Sequence, residues 1–205
     1  MTTPLHWRYA TKKYDTAKKI SEQDLNALLE SVRLTPTSYG LQPFKVILVE
    51  SQTVREELKT HSWNQPQTTD ASHFLVFAAN KLITDSDVDD FLKRTATTRQ
   101  RELSELQGYG DFVKSKVSQL NPEQISNWNG KQAYIAMGFL LYQAAIMQID
   151  ATPMEGLDPK AYDRILNLTD HQTVFAVALG YRSQDDTLQH ASKVRKTAAE
   201  IIEIV

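Results

Sequence analysis

Cysteine is absent from the 205-residue sequence, and several familiar motifs are absent with it. Without cysteine the chain has no disulfide framework, no cysteine-ligated metal or iron–sulfur cluster and no thiol nucleophile, so redox chemistry would require a bound cofactor. Its five histidines show no metal-ligand spacing, and no G-x-S-x-G serine hydrolase motif occurs. The P-loop pattern and the G-x-G-x-x-G dinucleotide pattern are also missing. These exclusions leave a cofactor-dependent reaction or no reaction.

The sequence also has little excess charge and no long apolar run. Its 23 basic and 25 acidic residues give a formal net charge of −2, which provides no general attraction to nucleic acid or to an anionic membrane. The apolar stretches are too short to span a bilayer, and the first residues lack the apolar core of a secretion signal. We therefore expect a cytoplasmic protein with no nucleic-acid or membrane partner. With 41% hydrophobic residues, the chain is expected to fold as one domain, 1–205.

Alternating patterns along the chain predict helices around a sheet. Ser21 and Asp24 form a capping-box pattern ahead of leucines at helical spacing, and Pro36 follows as a stop. Apolar and β-branched runs predict buried strands at 44–49, 73–79 and 173–181. Helices are predicted at 54–61, 131–148 and 160–168, and the charged segment 87–106 is helical in character. This order is typical of an α/β or α+β fold, and the residues alone leave parallel and antiparallel strands open.

Two segments bear on assembly. The helix at 131–148 has few polar faces, which is typical of a helix that is buried centrally or lies in a subunit interface. Residues 201–205, Ile-Ile-Glu-Ile-Val, would be an aggregation liability if they were left free. We therefore expect them to add as a strand to a sheet, either their own or that of a second copy.

Four short segments could bind a polar ligand, although each has an ordinary explanation. The basic residues at 8–13 and 193–196 could hold a phosphate or simply be solvated. The segment 36–44 places hydroxyls, a glycine and an amide between a helix and a strand, where it could present donors or merely end the helix. Residues 152–156 are predicted to be a loop, whose glycine could let a backbone N–H approach a planar ring or only make a turn.

Taken in order, these segments resemble the nitroreductase family along nearly the whole chain. The matching motifs are RYATKKYD at 8–15, PTSYGLQPF at 36–44, DAS at 70–72, KQAYIAMG at 131–138, PMEG at 153–156, GY at 180–181 and KVR at 193–195. The similarity is closest to the branch of oxygen-insensitive NAD(P)H nitroreductases and dihydropteridine reductases. It implies an α+β fold with a central, mostly antiparallel sheet flanked by helices, in an intertwined homodimer with FMN at the subunit interface.

The resemblance also implies which residues hold the cofactor. The FMN phosphate and the adjacent ribityl and ring oxygens would be held by four cations, Arg8, Lys12, Lys193 and Arg195. The partner subunit would contribute the loop that borders the flavin, with Pro36, Thr37 and Ser38. Polar atoms of the flavin would bond to Asn64 and Gln132. The segment Pro153, Met154, Glu155 and Gly156 would lie along the ring and direct a backbone N–H at flavin N5.

Four further positions are expected to line the site but depart from the family pattern. Tyr9 and Ala10 replace the His-Ser pair that often follows the arginine, and Gly40 stands where many relatives have Asn. Gln67 occupies a place where the close branch carries Lys. This change leaves less positive charge near the pyrimidine edge of the flavin.

The activity implied by the resemblance is oxidoreduction. NADH or NADPH would give a hydride to flavin N5 and leave before the acceptor takes its place, a ping-pong cycle that needs no acid or base from the protein. The acceptor would be a small flat aromatic molecule, such as a nitroaromatic compound or a quinone, and the pocket would be covered by the region of Tyr109, Phe112 and Trp128. Open alternatives are a dihydropteridine, enone or flavin reductase, a non-catalytic flavin-binding protein, and a structural dimer without ligand.

Overall fold

A computed structural model of the chain describes residues 3–205 and shows one antiparallel sheet covered by helices. The strands are β1 (Phe44–Leu48), β2 (His73–Asn80), β3 (Asp150–Met154) and β4 (His171–Gly180), and they lie in the order β1-β2-β4-β3. The helices are α1 (Pro4–Trp7), α2 (Glu22–Arg33), α3 (Gln52–Thr60), α4 (Gln67–Asp70), α5 (Asp85–Arg99), α6 (Gln107–Val117), α7 (Pro122–Ile146) and α8 (Pro159–Ile165). Short 3-10 helices lie at Ser38–Gly40, Leu103–Leu106, Thr187–His190 and Ala198–Glu200. The α+β class and the antiparallel sheet implied by the family resemblance are confirmed.

The two central strands, β2 and β4, are buried on both faces. From β2, Leu75 and Phe77 point to one face, where they pack with α2 and α7. Phe74 and Val76 point to the other face, where they pack with α3 and α8. Side chains alternate between faces along a strand, and all four of these are 0% exposed. The buried strand predicted from the apolar run at 73–79 is therefore confirmed, with both of its faces covered.

Helix α7 is longer than predicted and carries two apolar faces. It begins at Pro122, where Asn121 and Gln124 cap each other, rather than at residue 131. Ala136 and Leu140 are fully buried in the core. A second stripe of large apolar side chains is between 41% and 50% exposed, namely Ile135, Phe139, Tyr142 and Ile146. No helix within residues 3–205, α7 included, is long and apolar enough to cross a membrane.

The prediction of a loop at 152–156 is wrong for its first three residues. Thr152, Pro153 and Met154 belong to β3, which pairs with β4 at the edge of the sheet. An edge strand accommodates a proline because only one of its sides needs backbone donors. Glu155 and Gly156 leave the strand, as the prediction of a loop requires.

The prediction that residues 201–205 join a sheet is wrong for the chain's own sheet. Residues 190–205 are all exposed, and Ile204 and Val205 reach 94% and 113% of full exposure. This tail passes through a short helix, Ala198–Glu200, and its apolar end remains outside the four strands. Addition of these residues to the sheet of a second copy stays a prediction.

Candidate functional site

The two ends of the chain meet at a cavity of about 380 Å³ beside α1, which we call the terminal cavity. From the first end it is lined by His6, Trp7, Arg8, Tyr9, Ala10 and Lys12, and from the second by Leu188, Gln189, Ala191, Ser192, Lys193, Val194 and Arg195. The Lys193 ammonium donates a hydrogen bond to the backbone carbonyl of Arg8. The cofactor-binding residues predicted from the two ends of the chain therefore all line one cavity, namely Arg8, Tyr9, Ala10, Lys12, Lys193 and Arg195.

The terminal cavity is positively charged, with no carboxylate among its lining residues. Burial and the nearby Arg195 lower the pKa of Arg8, and burial with Arg8 and Arg195 lowers the pKa of Lys193. The Nε of Arg8 is buried and has no hydrogen-bond partner within residues 3–205. Like charges held together and a buried unpaired donor both cost free energy. An anion with several acceptor oxygens, such as a phosphate, would offset both costs.

Asp186 fixes the backbone that follows Arg8. Its carboxylate accepts hydrogen bonds from the backbone N–H groups of Lys12 and Lys13, at 2.7 and 3.1 Å. Burial works to raise the pKa of Asp186, but hydrogen bonds from these two N–H groups and from further donors, including the Leu188 N–H, lower it overall. The ionised carboxylate therefore holds Lys12 at the edge of the terminal cavity.

Buried hydroxyl groups tie the same segment to β3. Thr11 donates to the Asp150 carboxylate at 3.1 Å, and the Thr11 carbonyl accepts from the Thr152 hydroxyl at 2.6 Å. The Tyr14 hydroxyl lies 3.0 Å from the Thr152 hydroxyl and donates to the Ala178 carbonyl at 2.9 Å. Because β3 starts beside these residues, the terminal cavity lies next to the beginning of the edge strand.

The far end of β3 offers backbone groups and a carboxylate. The Met154 side chain is 3% exposed and packs in the core, so only its backbone is available to a ligand. Glu155 is exposed and accepts a hydrogen bond from the hydroxyl of Tyr134 on α7. Burial and this carboxylate raise the pKa of Tyr134 to about 12, so its hydroxyl stays a neutral donor near pH 7.

The loop that precedes α4 packs against Gly156. Gln65 Nε2 donates to the Gly156 carbonyl at 3.0 Å, and a Cβ added to Gly156 would lie 2.6 Å from the indole of Trp63. That indole is 80% exposed and gives a flat apolar surface beside the end of β3. Asn64 follows it in a left-handed conformation with a φ of 53° and is exposed. Gln67, which begins α4, is buried, and its Oε1 has no partner within residues 3–205.

The segment 36–40 lies outside the terminal cavity of its own chain. The Ser38 backbone N–H donates to Oε1 of Gln132 at 2.9 Å, and Nε2 of Gln132 donates to the Trp128 carbonyl at 3.1 Å. The hydroxyl of Thr37 accepts from the backbone N–H of Gln42 at 3.0 Å. Gln132 is only 4% exposed; its Oε1 holds this loop on α7, and its Nε2 is bonded within α7 itself. Its contact with a flavin stays a prediction.

Tyr39 packs against two of the aromatic residues that were expected to cover the site, Phe112 and Trp128. Its ring meets those of Phe112 and Trp128 edge-on, with centroid separations of 6.2 and 5.7 Å. The neighbouring Gly40 has a φ of 77°, and a Cβ there would lie 2.8 Å from Phe91. Glycine at this position therefore satisfies both the left-handed backbone and the close approach of α5. Tyr39 and Trp128 also line a second cavity, of about 370 Å³.

The sequence analysis missed Asp150, Arg182 and Asp186, which contact residues 7–13, the segment that forms one side of the terminal cavity. Asp150 and Arg182 form an ion pair with a shortest distance of 2.6 Å. The guanidinium of Arg182 also lies over the rings of Trp7 and Tyr9. No motif spacing could indicate these contacts: Asp150 and Arg182 are 32 positions apart, and the contacts of Asp150 and Asp186 with residues 11–13 span more than 130 positions.

Comparison with known proteins identifies the family of this chain. The family model described as "Nitroreductase family" matches residues 5–181. A Staphylococcus aureus protein named "Putative NAD(P)H nitroreductase" is 35% identical over 98% of this chain and 93% of its own.

Two solved structures share the fold. One, from Bacillus subtilis and named "putative nitroreductase", has a TM-score of 0.89 and 22% identity, covering 98% of this chain and 97% of that one. Another, named in the same way, comes from Exiguobacterium sibiricum and is in complex with FMN; it has a TM-score of 0.85 and 16% identity, covering 98% and 95% of the two chains. Since the family model spans most of the sequence and the Staphylococcus aureus relative aligns along nearly all of it, this chain belongs to the nitroreductase family.

Proposed function

We propose that this nitroreductase-family enzyme uses FMN and NADH or NADPH to reduce small flat aromatic acceptors, such as nitroaromatic compounds or quinones. The observation that carries the proposal is the terminal cavity, where Arg8, Lys193 and Arg195 come together and no residue of the lining within 3–205 is a carboxylate. A purely structural role gives no reason to hold like charges side by side. FMN, when bound, supplies a two-electron carrier that takes hydride from the nicotinamide and delivers it to the acceptor.

The residues of the terminal cavity fit the phosphate of such a cofactor. The buried Nε–H donor of Arg8 has no acceptor within residues 3–205, and an anion would supply one. Lys193, Arg195 and Lys12 add charge around the same space, and charge-assisted hydrogen bonds of this kind are stronger than neutral ones. We therefore assign these four cations to the phosphate and the oxygens next to it.

The edge strand connects this phosphate site to a site for a flat ring. β3 begins beside the buried Thr11, whose neighbours Ala10 and Lys12 line the terminal cavity. It leads to Glu155 and Gly156, where the indole of Trp63 is exposed. Backbone groups at the end of β3 would orient the ring, and the hydrogen bond from Tyr134 holds the Glu155 carboxylate in place. Hydride transfer needs no acid or base from the protein, so the contribution of these residues is orientation.

We propose that a second copy of the chain completes each site. In its own chain the loop with Thr37 and Ser38 is held on α7 and does not reach the terminal cavity. Helix α7 leaves the apolar stripe around Phe139 exposed, and a contiguous exposed apolar patch is typical of a protein interface. Burial of this stripe against a partner would bring each Thr37 and Ser38 to the flavin of the other subunit.

Steady-state kinetics of the purified holoenzyme test the proposal. The protein should be yellow, release FMN on denaturation, and oxidise NADH or NADPH when a quinone or a nitroaromatic compound is supplied. Because donor and acceptor would use the same ring face in turn, reciprocal plots at several acceptor concentrations should be parallel. Converging lines would refute the ping-pong cycle. A protein that binds flavin without turnover would be a non-catalytic flavin binder, and a protein that cannot be loaded with FMN would refute the proposal entirely.

A further inference from the structure

Arg182 lies between the first residues of the chain and the first residue of β3. Its guanidinium forms a bidentate ion pair with Asp150, with Nη2 at 2.6 Å from Oδ1 and Nε at 3.0 Å from both carboxylate oxygens. The same guanidinium lies 4.3 Å from the ring centroid of Trp7 and 4.6 Å from that of Tyr9. The Asp150 side chain is 3% exposed and that of Arg182 is 21% exposed. One carboxylate and two aromatic rings therefore hold this cation in a single place.

The two rings flank Arg8 in sequence, so the packing of Arg182 against them also holds the segment that carries Arg8. Trp7 is the last residue of α1, and Arg8 follows it with extended backbone angles, a φ of −70° and a ψ of 144°. Trp7, Arg8 and Tyr9 all line the terminal cavity. Arg182 therefore supports the wall of the cavity to which Arg8 belongs.

Arg182 itself is not one of the residues that line the terminal cavity. Its charge is paired with Asp150, and that carboxylate also accepts from the Thr11 hydroxyl and from the backbone N–H of Arg182. Asp150 is in turn the first residue of β3, whose other end carries Glu155 and Gly156. The ion pair therefore joins the backbone that carries Arg8 to the strand that leads to the ring site.

We propose that Arg182 is a positioning residue for the cofactor phosphate, an inference that rests on the proposed function. Through Trp7 and Tyr9 it holds the wall of the terminal cavity that includes Arg8, and through Asp150 it fixes the spacing between that cavity and the end of β3. A small misplacement of a binding group weakens its contact strongly, whereas contacts made elsewhere on the ligand are unaffected. Loss of Arg182 should therefore weaken the grip on the phosphate more than the grip on the ring.

FMN and riboflavin differ by that phosphate. Comparing their binding therefore separates an effect on the phosphate site from an effect on the ring site. The experiment removes the flavin from the wild type and from Arg182→Gln, and measures both dissociation constants by flavin fluorescence at a temperature where circular dichroism shows a folded protein. For Arg182→Gln we expect the FMN dissociation constant to rise about tenfold, and that of riboflavin to change by less than about twofold. Arg182→Lys keeps a cation for Asp150 but loses the planar fork that stacks on the rings, so it should fold and show an intermediate loss. Arg101→Gln, which breaks an exposed pair with Glu105, is the matched control and should leave both constants unchanged.

The outcomes distinguish this inference from the proposed function. If both folded Arg182 variants keep the wild-type preference for FMN over riboflavin, Arg182 does not position the phosphate site. If they weaken both ligands equally, its role is general support of the fold and the inference is also overturned. If the wild type itself shows no preference for FMN, the assignment of the terminal cavity to a phosphate fails, and with it the observation on which the proposed function depends.

Discussion

Lys193 donates a hydrogen bond to the backbone carbonyl of Arg8, although 185 positions separate the two residues in the sequence. Each lies in a basic run that, by itself, resembles an ordinary solvated surface segment. Their meeting creates a cavity with several cations and no carboxylate in its lining, and burial together with neighbouring charge lowers the pKa of both side chains. The electrostatic character of the site is therefore a property of the folded chain and not of either segment.

Replacing Arg8 by Ala tests the phosphate assignment directly. It removes a charge-assisted contact worth roughly 1.5–3 kcal/mol, so FMN should bind about ten to a hundred times more weakly. Flavin retained through dialysis, followed by its absorbance, reports the change. Arg101→Ala serves as the control, because Arg101 is paired with Glu105 on the surface. Equal flavin retention in the two variants would contradict the assignment.

Replacing Gly156 by Ala tests the ring end of the site. The new Cβ would lie 2.6 Å from the indole of Trp63, and that exposed indole can move aside, so the variant should fold with a shifted tryptophan emission and weaker FMN binding. Gly108→Ala is the matched control, since a Cβ there meets nothing within 4 Å. It lies within α6, where alanine should stabilise the fold by roughly 0.5–1 kcal/mol. Wild-type FMN affinity in Gly156→Ala would argue against a ring beside Trp63.

The stripe on α7 provides a test of assembly. A charge at Phe139, which is 46% exposed, would have to be buried in the proposed interface, so Phe139→Glu should shift the protein toward monomer and release FMN. Sedimentation velocity measures the first effect and dialysis the second. Leu82→Glu changes an equally apolar side chain, 52% exposed, that lies outside the stripe and should change neither. A Phe139→Glu protein that remains dimeric and yellow would place the interface elsewhere.

Two histidines with lowered pKa values indicate how the stability of the fold should respond to acid. Burial, reinforced by Arg55, lowers the pKa of His73, and burial with Lys45 lowers that of His171. The unfolded chain therefore binds protons first as the pH falls below about 6.5. The free energy of unfolding should be fully maintained above that pH and decline as the pH falls through the lower native pKa values.

Denaturant titrations at pH 7 and pH 5 measure this decline. The double variant His73→Gln, His171→Gln should lose less stability between the two pH values than the wild type does. The exposed His190 offers a control, because His190→Gln should keep the wild-type decline. An unchanged decline in the double variant would assign the acid sensitivity to other groups.

The core of the sheet was predictable from sequence because its signal is local. The run at 73–79 is apolar after His73, and the β2 strand that it forms is covered on both faces. The direction of the strands was not predictable in the same way, since it depends on connections between distant segments and followed only from the family resemblance. β3 was missed because Pro153 reads as a loop signal, and its position at an edge of the sheet is a tertiary fact.

The candidate site was predictable as a set of motifs but not as a structure. The sequence supplied Arg8, Lys12, Lys193 and Arg195, and the fold brings them to one cavity. It could not supply Arg182 or Asp150, because an ion pair between the start of one strand and the residues after another has no periodicity. It also could not indicate that the amide of Gln132 holds the backbone of Ser38.

The terminal cavity has a consequence for the order in which the molecule is made. Arg8 leaves the ribosome before any strand exists, whereas Lys193 and Arg195 follow the last residue of β4. Sheet pairing and completion of the cavity therefore depend on different parts of the polypeptide: the four strands all end before residue 181, whereas two of the cations that line the cavity are added only afterwards.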